Sequence, residues 1–137
     1  MEIDVRPYDG DSRAYLDSIA TAFAEHLTDE AAALWEAALD FDRAIAAYDG
    51  DRIVGNAAAL SFELTVPGGV LPAAGVTAVG VHPTHRRRGV LRQMMRLQLD
   101  DVHRRGEPLA ILWASEASIY QRFGYGLATL KASLTDP

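Results

Sequence analysis

The segment that most constrains this chain is a strand, a cationic loop and a helix that follow one another directly. An apolar run over residues 76–81 predicts a strand, and residues 82–92 read HPTHRRRGVLR. The amphipathic stretch over residues 90–105 predicts a helix. Unpaired N–H groups in the first helical turn and the helix dipole attract anions, and Gly89 lets a ligand approach the backbone because it has no Cβ. This order predicts a pyrophosphate site at a helix N-terminus.

Length and composition exclude several classes of protein. The 137 residues suit one domain with a single core. The absence of cysteine excludes disulfides, thiolate nucleophiles and cysteine-based zinc sites. The N-terminus has no signal-peptide pattern, and no apolar run approaches the roughly 18 residues of a membrane span. A protein of the cytoplasm that does not associate with membranes is therefore expected.

The net charge of -6 is unevenly distributed. Residues 1–51 are rich in Asp and Glu, whereas the basic residues concentrate between Arg86 and Arg105. The acidic half suits a cationic substrate and the basic segment an anionic cofactor. For the acidic half, a plain solvated helix surface is an equally good interpretation.

Periodicity and turn signals predict a mixed sheet with helices on both faces. Ser12 is the expected N-cap of the first helix, and Leu34 is an expected core residue of the second. The ends of two parallel strands would bring residues 86–92 and 114–116 to one edge, where ligands bind in open α/β sheets. The predicted strands cover residues 2–6, 43–48, 52–66, 70–81, 109–113 and 125–134, and the predicted helices cover residues 12–27, a segment from Thr28, 90–105 and 116–123.

Three separated motifs resemble one family of enzymes. Residues 86–91 (RRRGVL) are similar to the Arg/Gln-x-x-Gly-x-Gly/Ala cofactor loop of the GNAT acetyltransferases, with Leu91 as a departure. Together with WASE at 113–116 and IYQRFGYG at 119–126, they resemble the N-terminal domain of the Eis (enhanced intracellular survival) aminoglycoside acetyltransferases. The implied fold is α/β, with a GNAT-like mixed sheet of six to seven strands, and residues 1–137 would form a single acetyl-CoA-binding domain.

The resemblance also implies a role for each matching residue. Acetyl-CoA would be the donor, an amine the acceptor, and Tyr120 the general acid that returns a proton to the thiolate. Backbone groups of Val79, Gly80 and Val81 would contact the thioester and pantetheine. The amine pocket would be lined by Phe23, Glu25, His26 and Trp35, and the remaining cofactor contacts would come from Arg86, Arg87, Arg88, Gly89, Val90, Leu91, Arg92, Ser115 and Glu116.

We expect no counterpart of the family's general base within residues 1–137. Eis-like proteins continue through two further domains, the last of which supplies a terminal carboxylate as the base, whereas this sequence ends at Pro137. An amine with a pKa near 10.4 is almost wholly protonated at neutral pH, so a base or a water chain must deprotonate it. Glu25 and His26 are the candidates. We expect weaker activity than in longer relatives, and a symmetric dimer that covers an apolar edge at residues 125–134.

Alternative functions come from two other classes. Arg86–Arg88 with Arg104 and Arg105 could contact nucleic-acid phosphates, but the charge of -6 argues against this. The second alternative is a catalytically silent domain that binds CoA or a protein. His82 and His85 are expected to be solvated, and no metal site is predicted.

Overall fold

The computed structural model describes residues 2–114 and 117–129. Short 3-10 turns at Phe41–Arg43, Pro83–His85, Ala117–Ile119 and Gln121–Phe123 connect or follow the main elements. Those elements are, in chain order, β1 (Asp4–Pro7), α1 (Ser12–Ala22), α2 (Asp29–Ala38), β2 (Ile45–Asp49), β3 (Arg52–Val66), β4 (Gly69–Val81), α3 (Val90–Arg104) and β5 (Leu109–Ile111).

The strands form one mixed sheet in the order β1-β2-β3-β4-β5. The first four are antiparallel neighbours, and β5 runs parallel to β4 after the α3 crossover. The α/β class and the mixed sheet are therefore confirmed. The described residues contain five strands, so the count of six to seven is not confirmed.

Helices cover both faces of the sheet, as predicted. Side chains alternate along a strand, and in β2 Ala46 joins the cluster of Tyr15 and Ile19 from α1. Its neighbour Ile45 belongs to the opposite cluster, with Met94 of α3. The Tyr15 hydroxyl lies 3.0 Å from the Ile45 carbonyl oxygen and 2.8 Å from that of Ala57. These contacts link α1 to β2 and β3 by hydrogen bonding.

The first helix is shorter than predicted because an alanine ends it. α1 stops at Ala22, and Ala24 takes the left-handed conformation at φ 55°. The Glu25 amide bonds Ala20 O at 2.9 Å and the Ala24 amide bonds Thr21 O at 3.2 Å, which together form a Schellman motif. This end was not predictable because glycine is the usual residue there. At the other end the N-cap is Asp11 rather than Ser12.

The second helix starts as predicted but buries only one small side chain among its own residues. Thr28 caps it by accepting a hydrogen bond from the Ala31 amide at 3.1 Å. Ala32 is its buried residue, whereas Leu34 is 72% exposed, so the prediction of a buried Leu34 is wrong. Because a small residue makes the contact, α2 places its larger apolar side chains away from the core.

The last predicted elements differ most from the structure. A helix is predicted at 116–123, whereas residues 117–123 form two 3-10 turns, and Gly124 at φ 94° ends the second of them. Residues 125–129 are not a strand, and residues 130–134 of the predicted strand lie outside the described part. Leu127 is 72% exposed, so the apolar pattern here does not correspond to a buried strand face. β5 is also shorter and more exposed than predicted, and it is the edge strand among those that the structure describes.

Candidate functional site

The candidate site begins where β4 separates from β5. β5 pairs only with Ala73, Ala74 and Gly75 of β4. Beyond Gly75, β4 continues to Val81 with no paired strand on that side among the described residues. Val79, Gly80 and Val81 are half-buried on this stretch, and no described strand pairs with their backbone on that side. These are the residues predicted to contact the thioester and pantetheine.

A β-bulge shapes this stretch of β4. Asn56 pairs with Gly80 and Ala58 with Thr77, which leaves Ala78 and Val79 opposite Ala57 alone. Ala78 takes φ 55°, an uncommon conformation for a residue with a Cβ. The Asn56 amide donates a hydrogen bond to the Ala78 carbonyl and holds the bulge.

A buried polar network links the bulge to α1. Ser18 Oγ donates to Asn56 Oδ1 at 3.0 Å. Because that bond uses the single hydroxyl proton, His82 Nε2 must be the donor to Ser18 Oγ at 3.0 Å and to Ser18 O at 3.2 Å. Burial lowers the pKa of His82, which keeps the ring neutral. The expectation that His82 is solvated is therefore wrong.

The second histidine also has a structural role, and the expectation of a solvated His85 is wrong too. His85 Nε2 lies 2.8 Å from Asp49 Oδ2, and its Nδ1 lies 2.6 Å from Thr84 Oγ1. These contacts fix the start of the cationic loop to the β2–β3 hairpin. The sequence gives no local signal for this contact, because Asp49 and His85 are 36 positions apart.

The loop then presents backbone rather than side chain at the start of α3. Arg87 at φ 62° and Gly89 at φ 77° both take the left-handed conformation. Gly89 is the N-cap of α3, no side chain caps the helix, and a Cβ at Gly89 would meet nothing within 4 Å. The Val90 side chain is buried, so it can offer only its amide to a ligand. An uncapped helix start with open space at Gly89 is a geometry that suits an anion, and the predicted pyrophosphate contact here stays a prediction.

The arginines of the loop differ in their surroundings. The Arg86 guanidinium turns back to the carbonyl oxygens of Val81 and Ala22, each 3.4 Å away, and so spans β4 and the end of α1. Arg87, Arg88 and Arg92 are exposed around the helix start, and Leu91 is half-buried.

The predicted acceptor residues lie on and after α1. Phe23 Cε2 is 3.8 Å from the position of a Cβ at Gly80, so its ring borders the open stretch of β4. Ala22 Cβ is only 2.7 Å from the same position, which explains why residue 80 is a glycine. Glu25 and His26 are exposed on the connection to α2, and Trp35 of α2 is 37% exposed.

Tyr120 lies between the two 3-10 turns and is half-buried. Its ring meets that of Tyr125 edge-on, with centroids 5.9 Å apart. Burial raises the pKa of Tyr125 to about 12, and its hydroxyl has no hydrogen-bond partner in the described part of the chain. Ser115 and Glu116 lie outside the described residues.

Neither a metal site nor a membrane span emerges from residues 2–114 and 117–129. They contain no group of three or more His, Asp or Glu residues placed to hold an ion. Their helices are also too short or too polar to cross a bilayer.

The comparisons with known proteins identify acetyltransferases that are similar to this chain. Residues 5–128 match the acetyltransferase (GNAT) domain family. An uncharacterized N-acetyltransferase of Streptomyces avermitilis is 52% identical over 134 residues, which cover 94% of this chain and 32% of the relative. The N-acetyltransferase Eis of Mycobacterium tuberculosis is 44% identical over 125 residues, which cover 85% of this chain and 30% of Eis.

A solved structure gives the same result. The crystal structure of Eis1 from Mycobacterium abscessus superposes with a TM-score of 0.80 at 38% identity, over 93% of this chain and 32% of that one. The chain thus spans about a third of the length of these relatives. It belongs to the GNAT acetyltransferase family.

Proposed function

We propose that this chain binds acetyl-CoA and transfers the acetyl group to a primary amine, such as that of an aminoglycoside, a polyamine or lysine. The observation that carries the proposal is the open β4 backbone leading directly into an uncapped helix N-terminus. GNAT acetyltransferases use acetyl-CoA, and this site offers amides to a thioester at one end and to a pyrophosphate at the other.

The chemistry assigns a separate task to each region. The amine lone pair attacks the thioester carbonyl, and an N–H group of Val79–Val81 stabilises the oxyanion that develops. Collapse of the tetrahedral adduct breaks the C–S bond, and the thiolate takes the proton of Tyr120. Ser115 and Glu116 would line the opposite side of the cofactor, as in the family.

The acceptor side is proposed to be acidic and aromatic. Phe23, beside Gly80, would contact the amine substrate together with Trp35, and Glu25 or His26 would accept its proton directly or through water. The second candidate function is a CoA-binding domain without turnover.

Calorimetry with acetyl-CoA and a CoA-release assay over a panel of amines separate the two candidates. Binding with turnover supports the enzyme, and binding without turnover of any amine supports the silent domain. The Gly89→Glu variant should lose acetyl-CoA binding, because a carboxylate would meet the pyrophosphate.

Gly68→Glu is the matched control, since Gly68 also has a positive φ and open space but lies in the β3–β4 turn. Equal acetyl-CoA affinity in the two variants would refute the placement of the site.

A further inference from the structure

A small cavity lies where the 3-10 turn Phe41–Arg43 meets the second half of α3. Its volume is about 40 Å³, and it is lined by none of the residues assigned to the cofactor or the acceptor above. Part of its wall is apolar, whereas three of the side chains that line it are polar, namely Arg43, Gln98 and Asp101. The cavity is therefore separate from the candidate acetyl-transfer site.

The side-chain amide of Gln98 can take only one orientation at this cavity. Its Nε2 atom lies 3.1 Å from the Ala58 carbonyl oxygen, and a carbonyl oxygen can only accept a hydrogen bond. The NH₂ group must therefore point to Ala58. Gln98 is 2% exposed, and its Oε1 atom is buried with no hydrogen-bond partner among residues 2–114 and 117–129. This leaves a buried acceptor that needs a donor.

The buried guanidinium of Arg43 has the opposite need. Its Nη1 donates to Glu107 Oε2 at 2.9 Å and to Ser61 Oγ at 3.1 Å, and its Nη2 donates to Glu107 Oε1 at 2.6 Å. The Nε atom is also buried, but no described residue accepts its hydrogen. Buried polar groups in proteins are hydrogen-bonded to protein or to ordered water in the great majority of cases.

Water is the one small species that satisfies both atoms. It can accept from Arg43 Nε–H and donate to Gln98 Oε1 at the same time, whereas a metal cation cannot accept and a simple anion cannot donate. The Asp101 carboxylate, which also lines the cavity, can accept the second proton of the water. One water needs about 10–15 Å³ and about two to four polar partners, and the cavity provides both.

We propose that this cavity binds one ordered water that bridges Arg43 Nε, Gln98 Oε1 and Asp101. The water would join α3 to the turn before β2. Gln98 continues the link to Ala58 of β3, where the pairing with β4 resumes after the bulge. The inference is independent of the proposed function, because it uses no residue of the candidate site.

Nuclear magnetic resonance on three proteins tests the bridge. In the wild type, the Arg43 Hε proton should show cross-peaks to water of opposite sign in NOE and ROE spectra, which identifies a bound water rather than proton exchange. Gln98→Met should lose these cross-peaks, because the acceptor is replaced by an apolar side chain of similar length. Gln93→Met, which makes the same change at an exposed position of α3, should keep them.

A crystal structure of the wild type at high resolution gives a second result that depends on no variant. It should show one ordered water within about 3.2 Å of both Arg43 Nε and Gln98 Oε1. Absence of that water, or a protein atom bonded to Arg43 Nε in its place, would overturn the inference. Cross-peaks that persist in Gln98→Met would overturn it as well, since the water would then not depend on the amide.

Discussion

At the scale of single residues, Tyr120 and Tyr125 separate the chemical role of a hydroxyl from the packing role of a ring. The two rings meet edge-on, and both side chains are half-buried. Their packing does not distinguish them, and the assignment of the acid to Tyr120 depends on the family resemblance of residues 119–126. The comparison of the two hydroxyl deletions is therefore informative.

Tyr120→Phe should slow acetyl transfer by about 10²-fold or more while acetyl-CoA binding is kept, because a positioned acid is lost. Tyr125→Phe should leave the rate near wild type, since its hydroxyl has no described partner to lose. Steady-state CoA release and calorimetry measure both quantities. Equal turnover of Tyr120→Phe and the wild type would return Tyr120 to a packing role.

A buried ion pair gives a second prediction at this scale. Arg43 and Glu107 form two hydrogen bonds, at 2.9 and 2.6 Å, with both side chains almost fully buried. Glu107→Ala should reduce the free energy of unfolding by about 3–5 kcal/mol, because the buried guanidinium loses both short hydrogen bonds to a carboxylate and keeps, as an ion pair, only the longer contact with Asp101. Asp101→Asn is the control, as Asp101 lies 3.9 Å from Arg43 and is more exposed. Urea unfolding measures the free energy of unfolding of both variants. Similar decreases in the two would contradict the prediction.

At the scale of elements, the cationic loop depends on the strands that hold it. The pair of His85 and Asp49 fixes the start of the loop to the β2–β3 hairpin, and the network from Ser18 to Asn56 fixes the bulge before it. The loop's left-handed residues are thus held from two sides. Pre-organisation of this kind lowers the cost of ordering the site when a ligand binds.

Removal of the hairpin contact should therefore weaken cofactor binding. Asp49→Ala should raise the dissociation constant for acetyl-CoA about two- to tenfold, the equivalent of one hydrogen bond. Asp51→Ala, in the same turn, should leave it unchanged because Asp51 is exposed. Calorimetry on the two variants gives the comparison, and identical dissociation constants would show that the contact does not order the loop.

At the scale of the whole molecule, stability should depend on pH through His82. Its pKa is lowered by burial, so the unfolded chain binds more protons than the folded one below about pH 6.5. The contribution of His82 to the free energy of unfolding should therefore be complete above about pH 6.5 and should be lost as the pH falls from there through the lowered pKa of the folded state.

His82→Gln supplies the control for the pH prediction, because an amide can donate to Ser18 but does not titrate in this range. Urea unfolding at pH 7.5, 6.5 and 5.5 should show a smaller pH dependence for the variant. The same dependence in both proteins would assign the effect to other groups.

The oligomeric state is also a property of the whole molecule. The dimer predicted from the sequence depended on a strand at residues 125–134, and residues 125–129 are not a strand. Among the described strands, β5 is the edge on that side. Light scattering at two concentrations would measure the state directly.

The sequence predicted what is local and missed what is distant. The strand, loop and helix around Gly89 follow from neighbouring residues, and so do the two middle hairpins. The Ser18–His82 contact joins residues 64 positions apart, so no spacing rule indicates it. The left-handed conformation of Ala24 could not be predicted either, because the Schellman motif at the end of α1 sets it and alanine rarely adopts it.

The bulge at Ala78 adds one residue to β4 and thereby changes which positions of the strand face α1 and which face α3. Before it, Ala74 faces the α3 side, so the even-numbered positions belong to that side. After it, Val79 and Val81 face α3, and Gly80 faces Ala22 of α1. Deletion of Ala78 would let β4 pair with β3 in one continuous register, with Gly80 still opposite Asn56, but it would remove the bulge itself next to the candidate site. The site should tolerate substitutions in this segment better than any change in its length.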